Sequence, residues 1–306
     1  MTTAGSLAAA RPRSDRLSHM RASLTNYVAL TRPRVLSGVL LTAPPALALG
    51  RGDWPDGLTI SGVMVGVALV GAGCGALNAW WELDRDARMA RTKDRPLPTG
   101  RLAPERALVF GVATSILGLL ALVTVGGLLP AMIAAATILH YLFVYTIWLK
   151  PRSVWSTVVG GLAGATAPLI ADAAVDGVVG PWGLALFAIV FVWQPPHVWA
   201  IVLQRRDEYA AAGFPVLPNV AGEAVTRRHM LGWALALLPV TMTPWLGGVL
   251  GWRYALAALA GGGFFVARTV AAIRAPSRAA DRRVFAASLA FLGAVFGTML
   301  LEAALR

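Results

Sequence analysis

Asn78, Glu82 and Asp86 stand at i, i+4 and i+8 across the end of an apolar run, so on a continuing helix their oxygen-bearing side chains fall along one face, where they suit a hard cation. Arg91, Lys93 and Arg95 follow at once, and guanidinium and ammonium groups hold phosphate oxygens. Carboxylates able to take magnesium, beside cations able to take phosphate, are the parts of a diphosphate-handling site. A second polar segment, about residues 204–230, opens with Arg205-Arg206-Asp207-Glu208-Tyr209 and runs through Gly213 to Pro215 and Pro218. Just ahead of it lies Trp193-Gln194-Pro195-Pro196-His197-Val198-Trp199, where two prolines free backbone carbonyls of a helix and an imidazole sits in an apolar setting. His197 is either a hydrogen-bonded structural residue or a substrate contact, and the residues alone leave both open.

The composition says what kind of element must position these groups. Of the 306 residues, 57% are apolar and 14% charged, and the mean hydropathy is +0.65; a soluble domain carries about 25% charge. The chain therefore reads as an all-α, polytopic membrane protein. Apolar runs near the ~20 residues of a membrane helix recur at about 35–50, 58–80, 107–127, 130–149, 154–172, 181–203, 231–251, 254–273 and 284–303. They predict about nine transmembrane helices, the first being short and carrying Pro44-Pro45. The runs lack the period-2 alternation of a β-barrel.

If nine helices alternate in direction, all but Arg51, Arg253 and Arg306 of the 27 Lys and Arg residues fall on one side. The positive-inside rule then puts the N-terminus and both polar segments in the cytoplasm and the C-terminus outside. The net charge of +12 thus follows topology, and no nucleic-acid partner is expected. Residues 1–34 read as a basic cytoplasmic tail ahead of a 35–306 membrane domain, without the apolar core of a secretory signal. A mitochondrial presequence has a similar composition, but a tail lying on anionic lipid explains the same residues. Cys74, the only cysteine, reads as a packing residue between two glycines, which excludes disulfide frameworks and thiolate metal sites.

The polar segments at about 78–106 and 204–230 lie four helices apart, which suggests two pseudo-equivalent halves, each offering one acidic, basic-flanked element to a shared cavity. Solvated loops that merely set topology are the competing reading; acids at helix ends near hydrocarbon are costly and usually functional. Asp53, Asp56, Asp172 and Asp176 read as solvated turn residues on the opposite side, and Glu223 and Asp281 as surface charges. His140 is a weaker candidate than His197, while His19 and His229 lie in basic stretches that read as exposed. Trp54, Trp182 and Trp252 suit interfacial belts. Trp80 and Trp81, beside the acids, suit either a belt or the shielding of a reactive cation by their ring faces.

Six segments together carry a resemblance: Thr31-Arg32-Pro33-Arg34, Asn78-Ala79-Trp80-Trp81-Glu82-Leu83-Asp84-Arg85-Asp86, Arg95-Pro96-Leu97-Pro98-Thr99-Gly100, Tyr145 to Lys150, Trp193-Gln194-Pro195-Pro196-His197, and Asp207-Glu208-Tyr209 through Pro218. Over about residues 25–303 the chain resembles the UbiA superfamily of intramembrane prenyltransferases, and the Trp-Trp-Glu and Trp-Gln-Pro-Pro-His forms look specific to its heme-modifying branch. The resemblance implies a UbiA-type bundle around a central cavity. It implies Mg2+ held by Asn78, Glu82, Asp86 and Asp207 on the diphosphate of farnesyl diphosphate, with Arg91, Lys93, Arg95 and Lys150 as countercharge to the leaving group. Heme B is the implied acceptor, attacking the farnesyl cation through a vinyl group before water completes the side chain. His197 and Trp193 are implied as heme contacts, His197 at the iron. A heme A synthase is the implied partner, and the cell membrane the implied location.

Two rival readings keep different features. A superfamily member that prenylates an aromatic quinone precursor would retain the acidic motifs but have no need of His197. A repeat-built transporter would place its ionisable groups within the spans, whereas here nearly all sit at helix ends. A scaffold has no need of two carboxylate clusters.

Overall fold

The computed structural model describes residues 23–49 and 54–305; His19, Arg51, Asp53, Arg306 and the tail up to residue 22 lie outside the described residues. The described residues form helices and no strand. A short helix over residues 23–30 leads into α1 (Pro33–Leu49), which is interrupted at Thr42. There follow α2 (Gly57–Trp81), α3 (Pro104–Gly126), α4 (Leu128–Leu149), α5 (Ser156–Asp176) and α6 (Pro181–Gln204). The last three are α7 (Glu223–Leu246), α8 (Trp252–Arg274) and α9 (Arg278–Ala304).

Seven of these helices, α2 to α6 with α8 and α9, are long and apolar enough to cross a membrane. The other two fall short for visible reasons. α1 is short and broken, and its half Ala43–Leu49 is almost wholly buried within the bundle. α7 begins on Glu223, Arg227 and Arg228 and is diluted by Pro239, Thr241, Thr243 and Pro244. Its start also shortens the second polar segment, which ends at Gly222 instead of residue 230. The prolines of α6, Pro195 and Pro196, lie within a helix that continues past them to Gln204.

Small residues set how closely the helices approach. A Cβ on Gly73 of α2 would lie 2.2 Å from Ser115 Oγ and 2.8 Å from the Gly111 carbonyl oxygen of α3, the small-residue packing expected where lipid removes the hydrophobic drive between helices. α6, α8 and α9 pack on one another or on α7, and α9 also meets the buried half of α1, so the bundle closes on itself. Its core holds Trp199, Tyr254, Phe265, Phe291 and Phe296, each under 2% exposed.

Two acids read as solvated are buried. Asp172 on α5 is 1% exposed and accepts from Gly180 N–H at 2.6 Å, so it caps α6, where the N-terminal dipole favours an anion. Asp281 on α9 is also 1% exposed and takes two hydrogen bonds, 3.0 and 2.8 Å, from the guanidinium of Arg227 on α7. Asp56 stays exposed and N-caps α2 through the amides of Leu58 and Thr59 at 2.9 and 3.0 Å. The Thr59 hydroxyl and these amides hold its carboxyl below the usual range.

Candidate active site

α2 stops at Trp81, yet its spiral carries on. The Glu82 amide donates to the Asn78 carbonyl at 3.0 Å and the Asp86 amide to the Glu82 carbonyl at 2.8 Å, and Leu83–Asp86 form one more helical turn. The i, i+4, i+8 spacing therefore holds in space. Asn78, Glu82 and Asp86 are 0%, 3% and 5% exposed. Polar groups at that depth require partners, and each has one.

α4 supplies two of them. Its last stretch, His140–Leu149, has widened turns, and the Lys150 amide closes back to the Tyr145 carbonyl five residues earlier at 2.8 Å. Such turns re-aim side chains and recur at functional sites. Asn78 Nδ2 donates to Thr146 Oγ1 at 2.9 Å. Lys150 Nζ donates to both oxygens of Glu82, at 2.5 and 2.7 Å. Residues four apart on α2 thus meet residues four apart on α4, so the two helices run in the same direction here.

Arg95, in the turns after α2, donates from Nη1 to Asp86 Oδ2 at 2.7 Å. The remaining cation, Arg32, was not singled out by sequence reasoning as a site residue. Its Nη2 donates to Asn78 Oδ1. Arg32 is the only non-glycine with positive φ, 51°, among the described residues, a conformation that costs on the order of 1–3 kcal/mol and persists where the surroundings impose it. The available signal was Pro33, which disfavours the helical region for the residue before it. Burial lowers the pKa of Arg32, but Tyr141, Glu82 and Asp86 outweigh this and leave it raised. Arg95 goes the other way, lowered by burial and by the nearby positive charge of Arg32 against the pull of Asp86. Three cations, Arg32, Arg95 and Lys150, therefore surround two carboxylates, an excess of positive charge suited to an anion. Arg91 and Lys93 are exposed and bond none of the site acids.

The second polar segment closes over this cluster with an apolar face. Met89 packs with Val202, Ala212, Phe214 and Val216, and the Phe214 ring lies 5.0 Å from Lys150 Nζ and 5.2 Å from the Arg85 guanidinium. Both are cation–π distances. Gly213, at φ +72°, makes the turn that brings Phe214 back. The two acids of this segment sit in different settings. Asp207 is 69% exposed at its side chain and pairs with Arg206 at 3.3 Å and Arg278 at 3.0 Å, outside the cluster. Its neighbour Glu208 holds Oε2 buried with no hydrogen-bond partner. A buried carboxylate oxygen without a donor is left for water or a cation to satisfy. That signal needs three dimensions, because two adjacent acids look alike in a sequence.

Beside the cluster lies an apolar cavity of ≈ 120 Å³ between α1, α2, α4 and α5, lined by residues such as Leu36, Val39, Val67, Val70, Cys74 and Ile170. Arg32 lines this cavity and also bonds Asn78, so one guanidinium joins the apolar space to the charged cluster.

The donor set fits magnesium. Asn78, Glu82 and Asp86 offer oxygen, the ligand type a hard cation takes. No group of three or more His, Cys, Asp or Glu residues converges among the described residues, and magnesium needs no such cage where one or two carboxylates and substrate phosphates share it.

The model of the UbiA prenyltransferase family matches residues 39–295. The chain belongs to that family. Among curated UbiA-type relatives, a protoheme IX farnesyltransferase from Methylobacterium radiotolerans is 41% identical over 282 residues, 90% of this chain and 89% of that one. One from Symbiobacterium thermophilum is 41% identical over 280 residues, 90% of this chain and 93% of that one. Among solved structures, digeranylgeranylglyceryl phosphate synthase superposes with a TM-score of 0.77 at 17% identity, covering 92% of this chain and 99% of its own. A UbiA homolog from Archaeoglobus fulgidus, bound to DMAPP and Mg2+, gives 0.62 at 15% identity over 90% of this chain and 99% of its own. These likenesses establish the UbiA fold.

The imidazole of this UbiA-family chain's α6 stands apart from the cluster. His197 Nδ1 meets Ser288 Oγ of α9 at 2.7 Å, and its ring stacks on Trp193 at 4.2 Å between centroids. Trp193 donates from Nε1 to the Ser288 carbonyl at 2.8 Å. His140 Nε2 is engaged by the Val159 carbonyl at 2.8 Å. His229, read as exposed, is half-buried against the rings of Trp155 and Trp199.

Proposed function

We propose that this chain transfers the farnesyl group of farnesyl diphosphate to a vinyl group of heme B, with water adding the hydroxyl, giving heme O and diphosphate. The observation that carries the reading is the join at Arg32, a buried line of oxygen donors ringed by cations at the mouth of an apolar cavity. The curated relatives named protoheme IX farnesyltransferase support the acceptor.

In this reading Asn78, Glu82 and Asp86, with Asp207 or its neighbour Glu208 from the second polar segment, would hold magnesium. When bound with the diphosphate, magnesium supplies Lewis-acid neutralisation of the charge developing on the leaving oxygen. Arg32, Arg95 and Lys150 add donors fixed in place before the bond breaks, the electrostatic preorganisation that is usually the largest catalytic term. Arg91 and Lys93, exposed on the same segment, draw the anionic substrate toward the site. The apolar walls beside Arg32 meet part of the isoprenoid and keep water from the allylic centre. The stacked pair His197 and Trp193 contacts the porphyrin. The chain resides in the cell membrane with its N-terminus and both polar segments cytoplasmic and its C-terminus outside, and a heme A synthase takes the product.

Membranes carrying the chain, supplied with heme B, farnesyl diphosphate and magnesium, should form heme O, read by chromatography and mass. Prenylation of a quinone precursor without heme O would instead place the chain in another branch of the family.

A further inference from the structure

We propose that Ser288 is a positioning residue that fixes the tautomer of His197, leaving the imidazole Nε2 lone pair free for the iron of a porphyrin substrate. The inference rests on the reading of heme as acceptor. It follows from counting hydrogens along one chain of contacts. Ser288 Oγ lies 2.7 Å from the Phe285 carbonyl oxygen, and a carbonyl only accepts, so the hydroxyl hydrogen is committed there. Ser288 Oγ also lies 2.7 Å from His197 Nδ1. With its one hydrogen spent, the serine accepts at this contact, and Nδ1 carries the proton. A neutral imidazole protonated at Nδ1 has its lone pair at Nε2. No hydrogen bond among the described residues occupies Nε2.

The ring cannot turn easily to exchange its nitrogens. Trp193 stacks on one side at 4.2 Å and 25°, and Phe285 lies 4.9 Å away at 34°. Trp193 is itself tied to the backbone carbonyl of Ser288. An imidazole oriented through one nitrogen and free at the other is how proteins present histidine to a metal.

The test uses the full chain in detergent, titrated with ferric heme and followed by Soret absorption and electron paramagnetic resonance, with farnesyl diphosphate binding as control. Ser288→Ala removes the hydroxyl but keeps the carbonyl that Trp193 uses, so the packing contact survives. It should bind heme about 10-fold more weakly, with a changed iron spectrum and unchanged farnesyl diphosphate binding. Ser288→Thr, which restores the hydroxyl, should recover the wild-type spectrum, and His197→Ala should lose it. Wild-type affinity and spectrum in Ser288→Ala would overturn the proposal at the serine, and a wild-type spectrum in His197→Ala would overturn it at the histidine. Heme O formed by wild-type membranes in either case leaves the reading of the reaction standing.

Discussion

Glu82 and Lys150 show why single and paired substitutions separate structure from chemistry. Their side chains are 3% and 17% exposed and joined by two short bonds. Lys150→Met strips the counter-charge from a buried carboxylate, and the expected loss is about 3–5 kcal/mol, read as a lower thermal midpoint in detergent. The double variant Glu82→Gln with Lys150→Met removes both charges and should recover most of that stability while remaining unable to transfer a prenyl group. Recovered activity would make the pair a structural contact only. The two acids of the second segment give a sharper contrast. Glu208, with its unpartnered buried oxygen, should lose at least about 10–100-fold in activity as Glu208→Gln, with magnesium affinity falling alongside. Asp207→Asn touches an exposed pair, so its activity should stay within a few-fold of wild type; the reverse ranking would return the site to Asp207.

Among elements, the contact between α7 and α9 depends on the Arg227–Asp281 pair, whose side chains are 5% and 1% exposed. Arg227 also donates to Glu223 at 3.1 Å, and Glu223 takes a 2.7 Å bond from Arg206 at the start of the short helix Arg206–Ala211. Asp281→Ala should cost about 3–5 kcal/mol because it leaves a buried guanidinium, and detergent unfolding should show it. Arg227→Met with Asp281→Leu should restore the midpoint; failure to do so would mean the network, not the unpaired charge, sets the stability. The sequence was legible where one helix decides and silent where two must meet. Asn78, Glu82 and Asp86 lie on one unbroken spiral, so spacing alone placed them. Lys150 meets Glu82 across 68 residues, and only the family resemblance supplied it. Asp172 and Asp281 were misread because hydropathy counts a charge and is blind to the helix end or guanidinium that satisfies it. The same blindness put Arg227 and Arg228 in a loop when they open α7.

At the scale of the whole molecule, the site residues gather at one end of the bundle because α2, α4 and α6 end there, at Trp81, Leu149 and Gln204. On the nine-helix reading the Lys and Arg excess follows those same ends, so one asymmetry would both orient the chain in the membrane and, in the proposed reaction, collect the cations for an anionic substrate. Its orientation can be tested with cysteines, since the single native thiol, Cys74, is buried. Leu24 and Leu305 are 65% and 63% exposed near the two ends of the described chain. In intact cells a membrane-impermeant maleimide should label Leu305→Cys and spare Leu24→Cys, and broken membranes should label both. That result alone fits seven spans as well as nine, because both counts are odd. Val220 and Leu246, 64% and 70% exposed, bracket α7 and decide the matter. If α7 crosses the membrane, Leu246→Cys reacts from outside and Val220→Cys does not. Equal labelling of the two would lay α7 on one side, and the charges of Arg227 and Arg228 would then lose their topological role.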